Sequence, residues 1–389
     1  MRKPSRLLLI LMFLSCIASA QKKDFTFNEL FRNAPPEFMN ALPAVSGWAD
    51  DDHYIEWRRS GEQSGYVSVE AKTGKWKPYS KPETLPEAKV YVQQNDLYIR
   101  EGSAPARRLT NNVEPEMNPL LSPDGKWVAF TRNNNLFAIE LATGREKQFT
   151  HDGSDMILNG YASWVYYEEI LGRFTHYKAF WWSPDSRHIS FMRFDDTQVP
   201  VFPIYYAEGQ HGFVEETHYP KAGDKNPEVK IGIVSVIEPG IVWAAFNEKD
   251  DQYFGTPLWT PEGQLWVQWM PRSQDNLKIF EIDLANGAKK EIYDEKQRTW
   301  IDLDKNNRIT FIPSTRSFLV LSDKTGWDQL YLYDYSSKLL NTVTSGEYTV
   351  TGIVSVDAKA REVYFMARKE NSGRSDFYRV GLNGRGLKR

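Results

Sequence analysis

Apolar residues in this chain fall into short runs that alternate with polar positions, and the runs come in pairs closed by tight polar turns. The clearest pair is 128–131 and 136–141, joined by Asn133-Asn134-Asn135 and followed by Ala142-Thr143-Gly144-Arg145. A period of two with Asn- and Gly-rich turns predicts antiparallel hairpins. The same order recurs at 265–270 with 277–284 and Asn286-Gly287, and at 318–322 with 329–335 and Ser336-Ser337. It recurs again at 363–367 with 376–382 and Asn383-Gly384. Earlier copies are 54–58 with 66–70 and Thr73-Gly74, and 90–94 with 97–100. Helical periodicity is confined to one short helix expected at 165–171.

A turn motif punctuates the pattern: Ser122-Pro123-Asp124-Gly125, Ser183-Pro184-Asp185-Ser186 and Thr260-Pro261-Glu262-Gly263. Proline presets φ at the second turn position and the acidic residue with its small follower completes the turn. The motif starts lie 61 and 77 residues apart. Those gaps exceed the roughly 40–50 residues of one blade, so insertions lie between copies. The pattern predicts an all-β fold, a β-propeller of four-stranded blades, which protects its strand edges by radial repetition. A two-sheet sandwich rarely needs more than about 250 residues, and this chain has 389.

Composition adds little to fold and more to location. Hydrophobic residues make up 41% and charged residues 25%, and the 13 Trp, 20 Tyr and 21 Phe supply enough apolar area to exclude a disordered chain. The formal charge of −3 offers no basic field for nucleic acid. Arg2, Lys3 and Arg6 precede an apolar run at 7–14 and the small residues Ala18-Ser19-Ala20. That order predicts a signal peptide over 1–20 and export to a periplasm or the extracellular space. Lipidation at Cys16 is the alternative, and Phe13 makes a poor lipobox. Cleavage after Ala20 removes the single Cys and three positive charges, leaving a formal −6 from −3. The apolar run is too short for a membrane span. Residues 21–47 then lead into a propeller over 48–389.

Most familiar chemistry is missing from the sequence. There is no Gly-x-Ser-x-Gly; the nearest approach is Gly373-Arg374-Ser375-Asp376-Phe377, inside a hairpin. There is no P-loop and no dinucleotide fingerprint. His211 and His218 flank Glu215-Glu216 with a spacing that fits no standard ligand set, so no metal is expected and the segment reads as a polar insertion loop. Glu168-Glu169 stands apart, because it follows Trp164-Val165-Tyr166-Tyr167. Adjacent carboxylates in an aromatic setting repel each other, and a cation between them relieves the repulsion. A peptide ammonium is a natural guest. The competing reading is a solvated helix face.

These residues also carry a resemblance. Asn159-Gly160 with 164–169, Phe180-Trp181-Trp182-Ser183-Pro184-Asp185, Phe194-Asp195-Asp196-Thr197-Gln198-Val199-Pro200 and Tyr219-Pro220-Lys221-Ala222-Gly223-Asp224-Lys225-Asn226-Pro227 occur in order. Together they resemble the dipeptidyl peptidase IV family of the prolyl oligopeptidase superfamily. The resemblance implies an eight-bladed propeller followed by an α/β-hydrolase domain. It implies a serine exopeptidase that removes X-Pro or X-Ala dipeptides, with no cofactor. By match, Glu168 and Glu169 bind the free amine of the substrate. The implied partners are peptide N-termini and the hydrolase domain, with homodimerisation left open.

The sequence departs from the family in two ways. No hydrolase segment with its Ser, Asp and His follows, and the chain ends where about the seventh blade is expected, so it reads as inactive alone and with an open edge. A family arginine near the substrate carbonyl finds no match in the hairpin at 90–99, and Arg100, Arg107 and Arg108 are not assigned that role. The alternatives are a free-standing secreted propeller that binds other molecules, and a non-catalytic homologue.

Overall fold

The computed structural model describes residues 25–32, 44–60, 63–80, 88–303 and 308–389. The expected signal peptide lies outside them. The chain divides into two compact units, Met1–Thr84 and Leu85–Arg389. In the first, helix α1 (Phe27–Phe31) is closed by a reciprocal capping box in which Thr26 and Glu29 each take the other's backbone N–H. A four-stranded antiparallel sheet follows, from Ala44–Trp48 to Trp76–Pro78. Its first strand begins at Ala44, ahead of the expected boundary at Trp48.

The second unit is a succession of antiparallel sheets in chain order, spanning 89–108, 116–148, 157–243, 252–296, 309–342 and 349–381. These are the second to seventh sheets. Apolar alternation buries both faces of the third to sixth sheets and one face of the second and seventh, and consecutive sheets share a core cluster. Leu97 meets Val128 and Phe137 between the second and third sheets, and Ala129 meets Phe180 and Phe191 between the third and fourth. Phe194 and Ile231 meet Phe254 and Val267 between the fourth and fifth. Trp266 meets Phe318 between the fifth and sixth, and Leu332 meets Phe365 between the sixth and seventh. Successive meanders stacked face to face are the arrangement of a β-propeller.

The sheets are not uniformly four-stranded. The second and seventh have three strands, although Lys388 returns to bridge Arg379 at the edge of the seventh. The fourth and fifth have five, because the first strand of each is split. In the fourth sheet Ile157–Asn159 and Phe180–Trp182 both pair with His188–Asp195. The residues between them leave the sheet, and this insertion carries the glutamate pair. A second insertion corrects the loop expected around His211 and His218. Val201–Tyr206 and Phe213–His218 form an antiparallel hairpin. Strand-forming aromatic and β-branched residues outweigh the polar ones there, and Tyr206 stacks on Phe213 across the hairpin at 4.9 Å.

The Ser-Pro-Asp turns form as expected. Ser122 Oγ donates to Asp124 at 2.7 Å, Ser183 Oγ donates to Asp185 at 2.6 Å, and the Asp124 N–H donates to Ser186 Oγ, tying the two turns together.

Candidate functional site

The insertion begins at Asn159-Gly160. Asn159 is fully buried and donates to Asp152 Oδ1 at 2.9 Å. Gly160 has φ +71°, and a Cβ there would meet Leu136, Phe180 and Thr131 at 3.3 Å, so the chain leaves the sheet through a position suited to glycine. Residues 164–165 are helical and lead into a π-helix at Tyr166–Ile170, which carries Glu168 and Glu169. The expected short helix is present, wound more widely than an α-helix. Its closing bond runs from the Leu171 N–H to the Tyr166 carbonyl at 2.7 Å.

Aromatic residues fix this helix to the fourth and fifth sheets. Tyr166 is buried in their shared core, and its hydroxyl accepts the Phe254 N–H at 3.1 Å. Trp164 packs on Tyr219 with ring centres 4.2 Å apart, which brings in the Tyr219–Pro227 segment. Asn226 of that segment donates to the Tyr253 hydroxyl at 2.9 Å. Tyr167 stacks on Tyr177 at 3.7 Å, and Tyr177 stacks on Tyr161 at 5.0 Å. His176 and Tyr177 hold φ of +49° and +67°, an unfavourable pair of left-handed residues that the stack offsets.

The two carboxylates face different surroundings. Glu168 is largely buried, and its Oε2 accepts Arg173 Nε at 2.5 Å. Glu169 is exposed and has no ion pair among the described residues. Burial, then the neighbouring Tyr161 and Tyr167, then the carboxylates of Glu215 and Glu168 push the Tyr177 hydroxyl well above the usual tyrosine range. Glu215 of the hairpin lies against the Tyr206 hydroxyl and raises its pKa, while Arg173 acts on it in the opposite sense. The site is therefore acidic, with an aromatic wall and, among the described residues, a single arginine on its carboxylates. Such a set can hold an organic cation by charge-assisted hydrogen bonds.

The family described as the dipeptidyl peptidase IV (DPP IV) N-terminal region matches residues 55–389. The chain belongs to the dipeptidyl peptidase IV family. Dipeptidyl peptidase 4 of Arthroderma otae is 32% identical over 277 residues, covering 67% of this chain and 35% of that protein. The probable dipeptidyl peptidase 4 of Aspergillus clavatus is 31% identical over 275 residues, with the same coverage. The chain thus spans about a third of the length of these relatives. Among solved structures, Porphyromonas gingivalis dipeptidyl peptidase 4 superposes with a TM-score of 0.69 at 24% identity, over 89% of this chain and 52% of that one. A putative dipeptidyl aminopeptidase IV from Bacteroides ovatus gives 0.66 at 19%, over 90% of this chain and 53% of that one. These two likenesses establish a shared fold.

Within this family member, the arginines left unassigned in the sequence have local partners. Arg108 pairs with Asp96 and donates to Asn111 at 2.6 Å, Arg107 donates to the Leu141 carbonyl at 3.4 Å, and Arg100 lies over Tyr91. Sequence reasoning missed Arg173, and gave Asp196 no role beyond its place in the 194–200 motif. Asp196 is buried near Ser163, at the start of the glutamate helix, and its Oδ1 makes no hydrogen bond. Among the described residues no helix is long and apolar enough to cross a membrane, and no group of three or more His, Cys, Asp or Glu is arranged to hold a metal ion.

Proposed function

We propose that this chain is the amine-anchoring propeller of an exported serine exopeptidase that removes X-Pro and X-Ala dipeptides from peptide N-termini. On this reading, Glu168 and Glu169 bind the substrate's free ammonium, and an α/β-hydrolase domain supplies nucleophile, base and oxyanion hole. The observation that carries the proposal is the pair of adjacent carboxylates on a helix inserted into the fourth sheet, one of which already takes a cation from within the chain. The family membership supports the reaction class.

The anchor would act as a ruler. On this reading, two carboxylates on one ammonium would fix the distance from the peptide's amino end to the scissile bond, so that a dipeptide would be released rather than a longer piece. Each charge-assisted bond is worth roughly 1.5–3 kcal/mol. The test is turnover of a Gly-Pro chromogenic amide by the protein carrying its hydrolase domain, with Glu168→Ala and Glu169→Ala. Each variant should lose about tenfold to a hundredfold in kcat/KM, with folding unchanged by circular dichroism. An N-acylated substrate should show no such difference. Wild-type efficiency in both folded variants would rule out the anchor.

A further inference from the structure

Arg173 is the cation that meets the glutamate pair, and its attachment is slight. Its side chain is 73% exposed, while that of Glu168 is 12% exposed. Among the described residues, its only side-chain hydrogen bond is the one from Nε to Glu168 Oε2 at 2.5 Å. The backbone arranges this contact. Gly172 ends the glutamate helix at φ +85°. The short turn Arg173–Thr175 that follows is closed by the Thr175 hydroxyl on the Gly172 carbonyl at 2.8 Å. The turn brings a residue five positions after Glu168 back onto its carboxylate. Tyr167 and Tyr206 lie within electrostatic reach of the same guanidinium.

A guanidinium and a peptide ammonium have the same charge and compete for the same carboxylate oxygen. We propose that Arg173 is the resident counter-ion of the amine site, occupying Glu168 in the free protein and displaced when a peptide ammonium takes both carboxylates. This rests on the amine-anchor reading and adds an exchange step to it. Only the carboxylate side of the ion pair is largely buried, so the pair can give way, and the displaced arginine returns to water at little cost because it is already largely solvated. While in place it cancels one of the two negative charges, so it lowers the site's pull on every passing cation. Ligands that fill both carboxylates are favoured over those that touch only one.

The test is the affinity of residues 21–389 for an Ala-Pro peptide with a free amino terminus, with its N-acetylated form as control. Wild type, Arg173→Gln, Arg173→Lys and a Glu168→Gln/Glu169→Gln double variant are compared at low and high salt. Arg173→Gln should bind the free-amine peptide about twofold to fivefold more tightly than wild type at low salt. The gain should shrink at high salt, where surface charges are screened. Arg173→Lys should stay near wild type, and added guanidinium ion should return Arg173→Gln toward wild-type affinity. Two results would overturn the proposal. If Arg173→Gln binds no more tightly while the double variant loses binding, the anchor stands and the counter-ion role falls. If the double variant binds as wild type does, the anchor reading fails and the counter-ion role falls with it.

Discussion

Asp195 and Asp196 are neighbours in sequence with opposite fates. Asp195 closes the strand His188–Asp195 and its Oδ1 accepts the Thr197 hydroxyl at 2.6 Å, whereas Asp196 is buried at 4% exposure. Burial pushes the Asp196 carboxyl up to about 6, against the opposing pull of Ser163 and His218. A folded pKa raised above the unfolded one makes the neutral form the stable one. The stability contributed by this group is therefore full below about pH 4 and is lost as pH rises through about 6. Asp196→Asn removes the titration. Denaturant unfolding should show the variant gaining on wild type between pH 4 and pH 7.5 by on the order of 2–3 kcal/mol. A gap independent of pH would contradict this. The glutamate pair was legible in the sequence because its aromatic prefix is local. Asp196 was not, since alternation along a strand cannot say which of two adjacent acids turns inward once the strand has ended. Arg173 was hidden because its contact depends on the left-handed Gly172, which a pattern of apolar residues does not record.

The sheets repeat a polar device that alternation alone does not reveal. The backbone N–H groups of Leu97, Leu136 and Leu330 donate to the hydroxyls of Thr110, Thr150 and Thr344 at 2.8–2.9 Å. The residue before each leucine ties down the next connection. Asp96 accepts the Asn112 N–H, Asn135 accepts the Gly153 N–H, and Gln329 donates to the Tyr348 carbonyl. This Leu-to-Thr spacing of 13 or 14 residues is written in the sequence, but its polar members look like ordinary turn residues until the bonds are known. Thr150→Val keeps the shape and removes the acceptor, leaving a buried N–H unpaired. It should cost about 1–3 kcal/mol in unfolding free energy, while Thr150→Ser should cost less. Equal stability of Thr150→Val and wild type would show that the hydroxyl is dispensable. The strand pairs themselves were legible: 128–131 and 136–141 appear as Trp127–Arg132 and Asn135–Glu140. The split first strands of the fourth and fifth sheets were not, because the break depends on pairing with a strand further along the chain.

Across the whole molecule, the alternating pattern identified an all-β fold of stacked meanders, and residues 85–389 realise it with a core cluster between every consecutive pair of sheets. The sequence motifs identified the family, since they are contiguous and lie in the insertion and the strands around it. The proposed export rests on the order of residues in 1–20, and on that proposal protein recovered from a secreting host should begin at Gln21 by N-terminal sequencing. A lipidated N-terminus at Cys16 would contradict soluble export. Calorimetric titration of residues 21–389 tests most directly the proposed binding of a peptide's free amine by Glu168 and Glu169. The ligand is an Ala-Pro peptide, free or N-acetylated, measured against wild type and the Glu168→Gln/Glu169→Gln double variant. Acetylation and the double substitution should each weaken binding at least about tenfold, and together they should weaken it little further, because both remove the same contact. Equal affinity for the free and acetylated peptides in wild type would contradict it.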